Sequence, residues 1–169
     1  MTPGAATGVE PRGPDPGAAD RRCAFCAIAA GEAPASVVAA DALTLAFLDR
    51  RQYHAGHVLV IPRRHVPDVR AVNDATAGAL MRAVARVARA VDRAFPNDGL
   101  NVWHSAGPGA HQEVPHLHFH VHPRRHGDRV LQVYPTPPAC PDRATLDAWA
   151  ARLRAAIGGA DGPADGPAA

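Results

Sequence analysis

The sequence predicts an α+β fold, on three observations. Short apolar runs of strand length outnumber the helical patterns, several of them lie close enough in sequence to pair antiparallel, and one long segment repeats apolar residues at helical spacing. At 169 residues the chain suits one domain able to bury a real core. The expected architecture is an antiparallel sheet of about five strands with one long helix and a C-terminal helix.

Each element has a local reason. Residues 1–20 are rich in Gly, Pro, Ala and Asp without periodicity, so they read as a disordered extension, and the tail from 158 to 169 reads the same way. The folded unit spans 21–157. "CAFCAIAA" predicts a helical turn ending at Gly31. "SVVAA" and "LTLAFLD" predict two strands joined through Ala40-Asp41-Ala42 as a hairpin, and "GHVLVIP", bounded by Gly56 and Pro62, a buried central strand. The long helix is expected over 74–95, with Leu80, Val84, Val87, Val91 and Phe95 on one stripe. Asn73 or Asp74 caps it and Pro96 stops it. "GLNVWHS" predicts a strand, "AGPGAHQ" a loop and "EVPHLHFHVHP" a last strand. A final helix is expected over 142–157, with Leu146, Trp149, Leu153 and Ile157 on one face and Gly158-Gly159 ending it.

Composition narrows the function classes. A net charge of +2, carried by arginines scattered in pairs, gives no basic run for a nucleic-acid partner. No segment reaches the roughly 18 apolar residues a membrane span needs, and the N-terminus lacks an apolar signal core. A cytoplasmic protein with reduced thiols is the expectation. There Cys23 and Cys26, a C-x-x-C pair, read as metal-binding or redox before structural disulfide, while Cys140 stands alone.

"HLHFHVH", residues 116–122, carries the chemistry. In a strand, His116, His118, His120 and His122 share one face and Leu117, Phe119 and Val121 the other. The imidazole face must be at least partly open, because buried unpaired imidazoles are costly. Three readings compete: a polar face that happens to use histidine, a metal site completed by ligands from elsewhere, and nucleophilic catalysis by a neutral imidazole.

"QEVPHLHFHVHP" resembles the signature of the histidine triad (HIT) nucleotide hydrolase and transferase family. "CAFCAIAAGEAPAS", "LAFLDRRQYHAGHVLVIPRRH" and "GLN" follow the order and spacing of its Hint-like bacterial members, over about residues 21–125. The resemblance implies a HIT-like fold. It also implies attack by His118 on the α-phosphorus of a nucleotide derivative, a nucleotidyl-histidine, and its hydrolysis by water. His120 would donate to phosphate oxygens. Asp49 matches the carboxylate that holds the ribose hydroxyls. Phe25, Ile28, Phe47 and Leu48 match positions that sandwich the base, with core packing as the competing reading for Ile28 and Phe47. Gln112 matches an amide that contacts phosphate, and His57 a recurrent histidine beside the site or in the core.

In zinc-bearing members, residues matching Cys23, Cys26, His65 and His116 make a closed Cys₂His₂ site. One structural zinc per chain is therefore implied, with His116 shared between metal and triad, and no catalytic metal. A thioredoxin-like redox pair is the rival reading of the two cysteines. A homodimer is implied too, with the long helix and a sheet edge at the interface.

The sequence departs from the family pattern in four places. His122 adds a fourth imidazole. Glu113 stands where Ser or Thr is common near the leaving group; it would protonate the leaving group if its pKa were raised, or repel a polyphosphate as an anion. His104 and Ser105 occupy the neighbourhood of a missing Asn. Arg50 and Arg51 follow Asp49 where an apolar residue usually meets the base. The expected activity is hydrolysis of a purine nucleoside phosphoramidate or nucleotidyl adduct. The alternatives are a dinucleoside polyphosphate hydrolase, a nucleotide-binding regulator with little turnover, and a metal-delivery module.

Overall fold

The computed structural model describes residues 23–131, 136 and 138–158. The extension expected over 1–20 and the tail beyond Gly158 lie outside the described residues. Contacts divide the chain into two units, one ending at Val130 and the other beginning at Leu131.

The first unit carries a five-stranded sheet, every neighbouring pair antiparallel: β1 (Val37–Ala40), β2 (Thr44–Leu48), β3 (Val58–Pro62), β4 (Gly99–Trp103) and β5 (Phe119–Arg124) in the order β1-β2-β3-β5-β4. Two helices accompany it, α1 (Ala24–Ala30) and α2 (Asp74–Ala94). Strand alternation sorts side chains into two layers. Ala46, Val58, Val60, Leu117 and Val121 pack with Leu80, Ala83, Val84, Val87 and Val91 of α2. On the other face Leu45, Phe47, Leu59 and Ile61 receive Phe25, Ile28 and Ala29 of α1. The sequence-predicted stripe of α2 is thus its buried face, except Phe95, which ends the helix half-buried.

Local chemistry sets the ends. The Asn73 side chain accepts from the Thr76 N–H at 2.9 Å and caps α2. Gly31 ends α1 at φ 78°, its N–H reaching back to the carbonyls of Ala27 and Ile28. Gly56, entering β3, stands at φ 101°, and a Cβ there would lie 2.6 Å from the Phe95 ring. Gly56→Ala is therefore expected to destabilise the fold by about 2 kcal/mol or more, from backbone strain and overpacking together. Urea unfolding of the variant checks it.

One boundary differs from expectation. The histidine strand was expected from Glu113, yet β5 begins at Phe119, because β3 offers no ladder partner beyond Val60. The Pro62 carbonyl instead accepts from the His116 ring at 2.9 Å, and the Leu117 N–H turns to the Val66 carbonyl at 2.6 Å. Two short 3₁₀ turns, Val69–Ala71 and Pro108–Ala110, also had no sequence signal.

In the second unit, α3 spans Arg143–Gly158, started by Asp142, whose carboxylate accepts from the Thr145 N–H at 2.8 Å. Its apolar residues Leu146, Trp149, Leu153 and Ile157 are exposed.

Candidate functional site

The four rings of the histidine row are held by partners that fix their protons, three of them by backbone carbonyls. A carbonyl oxygen only accepts, so a ring nitrogen beside one carries the hydrogen. The His118 Nδ1–H donates to the His116 carbonyl at 2.6 Å, which leaves the Nε2 lone pair free. His122 Nδ1–H donates to the Pro123 carbonyl at 2.6 Å. His57 Nδ1–H donates to the Arg51 carbonyl at 3.2 Å, so its Nε2 accepts from His120 Nδ1–H at 2.9 Å. In this state His120 Nε2 carries a lone pair. It gains a second proton only with a compensating anion.

The imidazole face, expected to be at least partly open, is so mainly at His120. His116, His118 and His122 are buried and His120 is half-buried. Burial is tolerated because each ring makes a hydrogen bond, and among the described residues no fully buried side-chain nitrogen or oxygen lacks a partner. Burial also lowers the affinity of these rings for a proton. It is the largest cause for His120, pushed down to about 3 with help from His118, His57, His122 and Arg51. Burial likewise lowers the His118 pKa, against its bond to the His116 carbonyl. His118 is therefore neutral at pH 7, the form a nucleophile needs.

A stability consequence follows from His120. Its folded pKa of about 3 lies below the unfolded value of 6.5, so below that value the unfolded chain takes up a proton that the folded ring refuses. The stabilisation is complete above about pH 6.5 and is lost as pH falls toward 3. The urea midpoint is expected to be lower at about pH 4.5 than at about pH 7.5.

Around His118 the structure gathers most of the residues singled out from sequence. Phe25 sets its ring edge-on to His118, centroids 5.3 Å apart, and to Phe47 at 5.6 Å. Phe25, Ile28, Phe47, Leu48, Asp49, Arg50, Arg51 and Glu113 line a cavity of about 700 Å³. Phe47 is buried in the core while also lining that wall, so its two readings coincide. Asp49, at the end of β2, is 8% exposed; one oxygen accepts from the Arg51 N–H at 2.8 Å and the other stands 3.8 Å from His57 Nδ1. Gln112 has both amide ends engaged, accepting from Gly107 N–H at 2.8 Å and donating to the Pro67 carbonyl at 2.7 Å. Ser105 is half-buried in the loop after β4.

Several contacts at the site join residues whose meeting the sequence did not show. His104 donates from Nδ1 to the His118 carbonyl at 2.9 Å and accepts at Nε2 from the Val69 N–H at 3.3 Å, bracing the nucleophile's own peptide. Trp103 lies flat on His120, centroids 4.3 Å apart and planes within 6°. His54 is half-buried and paired with Asp128 at 3.0 Å. Arg51 grips Glu113 with two bonds, 3.1 and 2.7 Å. That grip holds the Glu113 pKa below the usual carboxylate range, so the raised pKa needed of a proton donor is absent.

On the far side of His116, four donors converge. Cys23 Sγ, Cys26 Sγ, His65 Nδ1 and His116 Nδ1 lie within 4.8 Å of one another, all but His65 buried. The His116 Nε2–H is committed to the Pro62 carbonyl, so its Nδ1 lone pair faces the sulfurs. Two thiols and two imidazoles so arranged fit a tetrahedral divalent ion. Spacing explains it: Cys23 and Cys26 lie one turn apart at the start of α1 and share a face.

Known proteins resemble this chain. The HIT domain family model matches residues 30–127. The adenosine 5′-monophosphoramidase hnt1 of Schizosaccharomyces pombe is 35% identical, over 71% of this chain and 88% of its own. A crystal structure of a HIT family member from Bacillus subtilis is 34% identical with a TM-score of 0.75, covering 80% of this chain and 96% of that one. A Zn-bound histidine triad family protein from Mycobacterium smegmatis is 36% identical with a TM-score of 0.61, covering 80% and 97%.

Proposed function

We propose, on the premise that the chain belongs to the HIT domain family, that it is a hydrolase of nucleotides carrying a labile group on the α-phosphate. Nucleoside phosphoramidates and nucleotidyl adducts come first. The observation that carries this reading is His118: a buried, neutral imidazole whose Nδ1–H is tied to a carbonyl, which leaves the Nε2 lone pair free, and whose ring meets Phe25 of the cavity wall. A mere binder has no use for a nucleophile so oriented.

The base would lie between Phe25, Ile28, Phe47 and Leu48, and the vicinal hydroxyls of ribose suit the two oxygens of Asp49. His118 Nε2 would then attack phosphorus, the leaving group would depart, and water would cleave the P–N bond to give the nucleoside monophosphate. An anionic phosphate beside His120 supplies the compensation that lets Nε2 take a proton and donate. Trp103 helps, because a flat aromatic face favours an imidazolium above it. Gln112 holds the loop before the triad through one bond at each end of its amide, and its second N–H remains for a phosphate oxygen.

Zinc belongs to the proposal as a structural ion on Cys23, Cys26, His65 and His116, where it would fix α1 against the triad. So does a homodimer, supported by the exposed edge residue Val102 and by Met81 on α2. No helix among the described residues is long and apolar enough to cross a membrane. Incubation with adenosine 5′-phosphoramidate tests the central reading: AMP release is expected, and its absence, with nucleotide bound, would leave a binding protein.

A further inference from the structure

The link between β2 and β3 is longer than the about two to five residues with which a hairpin usually closes. Seven residues separate Asp49 from His57, yet the Asp49 N–H still donates to the His57 carbonyl at 3.1 Å. In an antiparallel ladder, two residues bonded in this way exchange a second bond, here from the His57 N–H to the Asp49 carbonyl. The Gln52 side chain stands in its place. Its Nε2 donates to the Asp49 carbonyl at 2.6 Å, and its Oε1 accepts from the His57 N–H at 3.0 Å. The same amide donates to the His57 carbonyl at 2.8 Å and accepts from the Gly56 N–H at 2.9 Å.

Every hydrogen-bonding position of the amide is thereby used: its N–H groups meet carbonyls and its lone pairs meet N–H groups. The backbone partners also decide which end is oxygen, since the reverse would set donor against donor. These bonds reach the proposed chemistry through two residues. Asp49, whose carboxylate is assigned the ribose, has its carbonyl pinned to the amide, and His57 has both its N–H and its carbonyl pinned there. The carbonyl that accepts from His57 Nδ1–H at 3.2 Å is that of Arg51, on the peptide bond leading into Gln52. That contact sets the His57 tautomer, and His57 Nε2 in turn accepts the His120 Nδ1–H at 2.9 Å. Gln52 does not line the base cavity; with Asp49, His57, Trp103 and His120 it lines a second hollow of about 440 Å³.

We propose, resting on the hydrolase reading above, that Gln52 is a positioning residue for the reaction. Its amide holds the backbones of Asp49 and His57 at one spacing, so that the ribose carboxylate and the His57–His120 pair share a rigid frame. The ties of Arg51 to Glu113 and of His54 to Asp128 lead from the same loop to other segments and do not set this spacing. Without the amide, the long turn lets the Arg51 carbonyl swing away from His57, and the His57 ring is free to move its proton between nitrogens. His120 then loses the acceptor that keeps its proton on Nδ1 and leaves Nε2 for the phosphate.

Gln52 is exposed as a residue, so water can take over part of what its amide holds, and Gln52→Leu is expected to fold. Its kcat on adenosine 5′-phosphoramidate is expected to fall about tenfold, less than a displacement of about 1 Å can cost. AMP affinity should weaken too, and the His120 Nδ1–H resonance, held between two rings in the wild type, should broaden or vanish from the ¹H–¹⁵N spectrum. Gln52→Glu separates positioning from folding. Its carboxylate keeps both acceptor bonds and loses both donors, and on protonation it regains one. Measured on folded protein, its kcat relative to wild type is expected to rise as pH falls from about 8 to about 5, because a carboxyl facing two carbonyls holds its proton more tightly. A side chain that only stabilised the turn would move the Tm with pH and leave that ratio flat. A flat ratio, or folded Gln52→Leu with wild-type kcat and an intact His120 signal, would reduce the amide to a turn clasp and overturn the proposal. Failure of the hydrolase reading would show separately, as wild-type protein that binds AMP and releases none from the phosphoramidate, while AMP affinity and the His120 signal still report on Gln52.

Discussion

His118→Ala is expected to abolish AMP release from adenosine 5′-phosphoramidate, lowering kcat by at least about a thousandfold, because the nucleophile's loss removes the covalent route itself. The ring does nothing for the core that a smaller side chain could not partly spare. It touches Phe25 at its edge and gives one hydrogen bond to the His116 carbonyl. The variant should therefore fold and keep nucleotide affinity, which separates lost chemistry from lost structure. A second variant sharpens the reading. His118→Gly leaves a ring-sized space, and added imidazole is expected to restore part of the turnover by forming a nucleotidyl-imidazole in solution. Full activity in His118→Ala would refute the mechanism outright. Activity lost but no adduct trapped on His118 in wild-type protein would move the nucleophile elsewhere.

The reason to place the lone pair on His118 rather than on its neighbours lies in the hydrogen bonds, which the sequence does not show. Period-two alternation made it legible that imidazoles and Leu117, Phe119 and Val121 take opposite faces, and the two core layers follow that division. The register of helices and strands was legible for the same reason: apolar spacing, the Asn73 cap and the Gly31 stop are local signals. What stayed hidden depends on contacts between distant segments. His104 reaches the His118 carbonyl from another strand's end, and His57 meets His120 across 63 positions of sequence. Arg51 and Glu113 are 62 positions apart. Nothing in the spacing of either foretells the meeting, so Glu113 read from sequence alone kept both a donor and a repelling role, and Arg51 had no partner. The buried state of the histidines was hidden for a related cause. Burial is acceptable only once each ring has a partner, and those partners are mostly backbone carbonyls, which no residue type advertises.

Removal of metal is expected to produce the largest change in stability. A strong chelator, or Cys23→Ser, should lower the Tm by more than about 10 °C, since a structural zinc ion contributes many kcal/mol to the fold that holds it. The segment that depends on the ion is short. At seven residues, α1 is far below the length at which a helix stands alone, and its hold includes Phe25, Ile28 and Ala29 against the second core layer, the Arg63 bond to the Ala29 carbonyl and the two cysteines. Cys23 Sγ stands 3.4 Å from His116 Nδ1 and Cys26 Sγ 3.2 Å from His65 Nδ1, and thiol–imidazole contacts are weak beside four metal bonds. Loosening α1 also loosens Phe25 and Ile28, so nucleotide affinity should fall together with stability. Chemistry at His118 should survive in whatever fraction stays folded, because its orientation comes from the His116 carbonyl and not from the ion. Elemental analysis should give one zinc per chain, lost in Cys23→Ser. A metal-free protein with unchanged Tm would demote the four residues to a polar patch of the core. Zinc loss that stopped catalysis while leaving Tm and nucleotide affinity intact would instead assign the ion a role in the reaction, against the structural part given to it here.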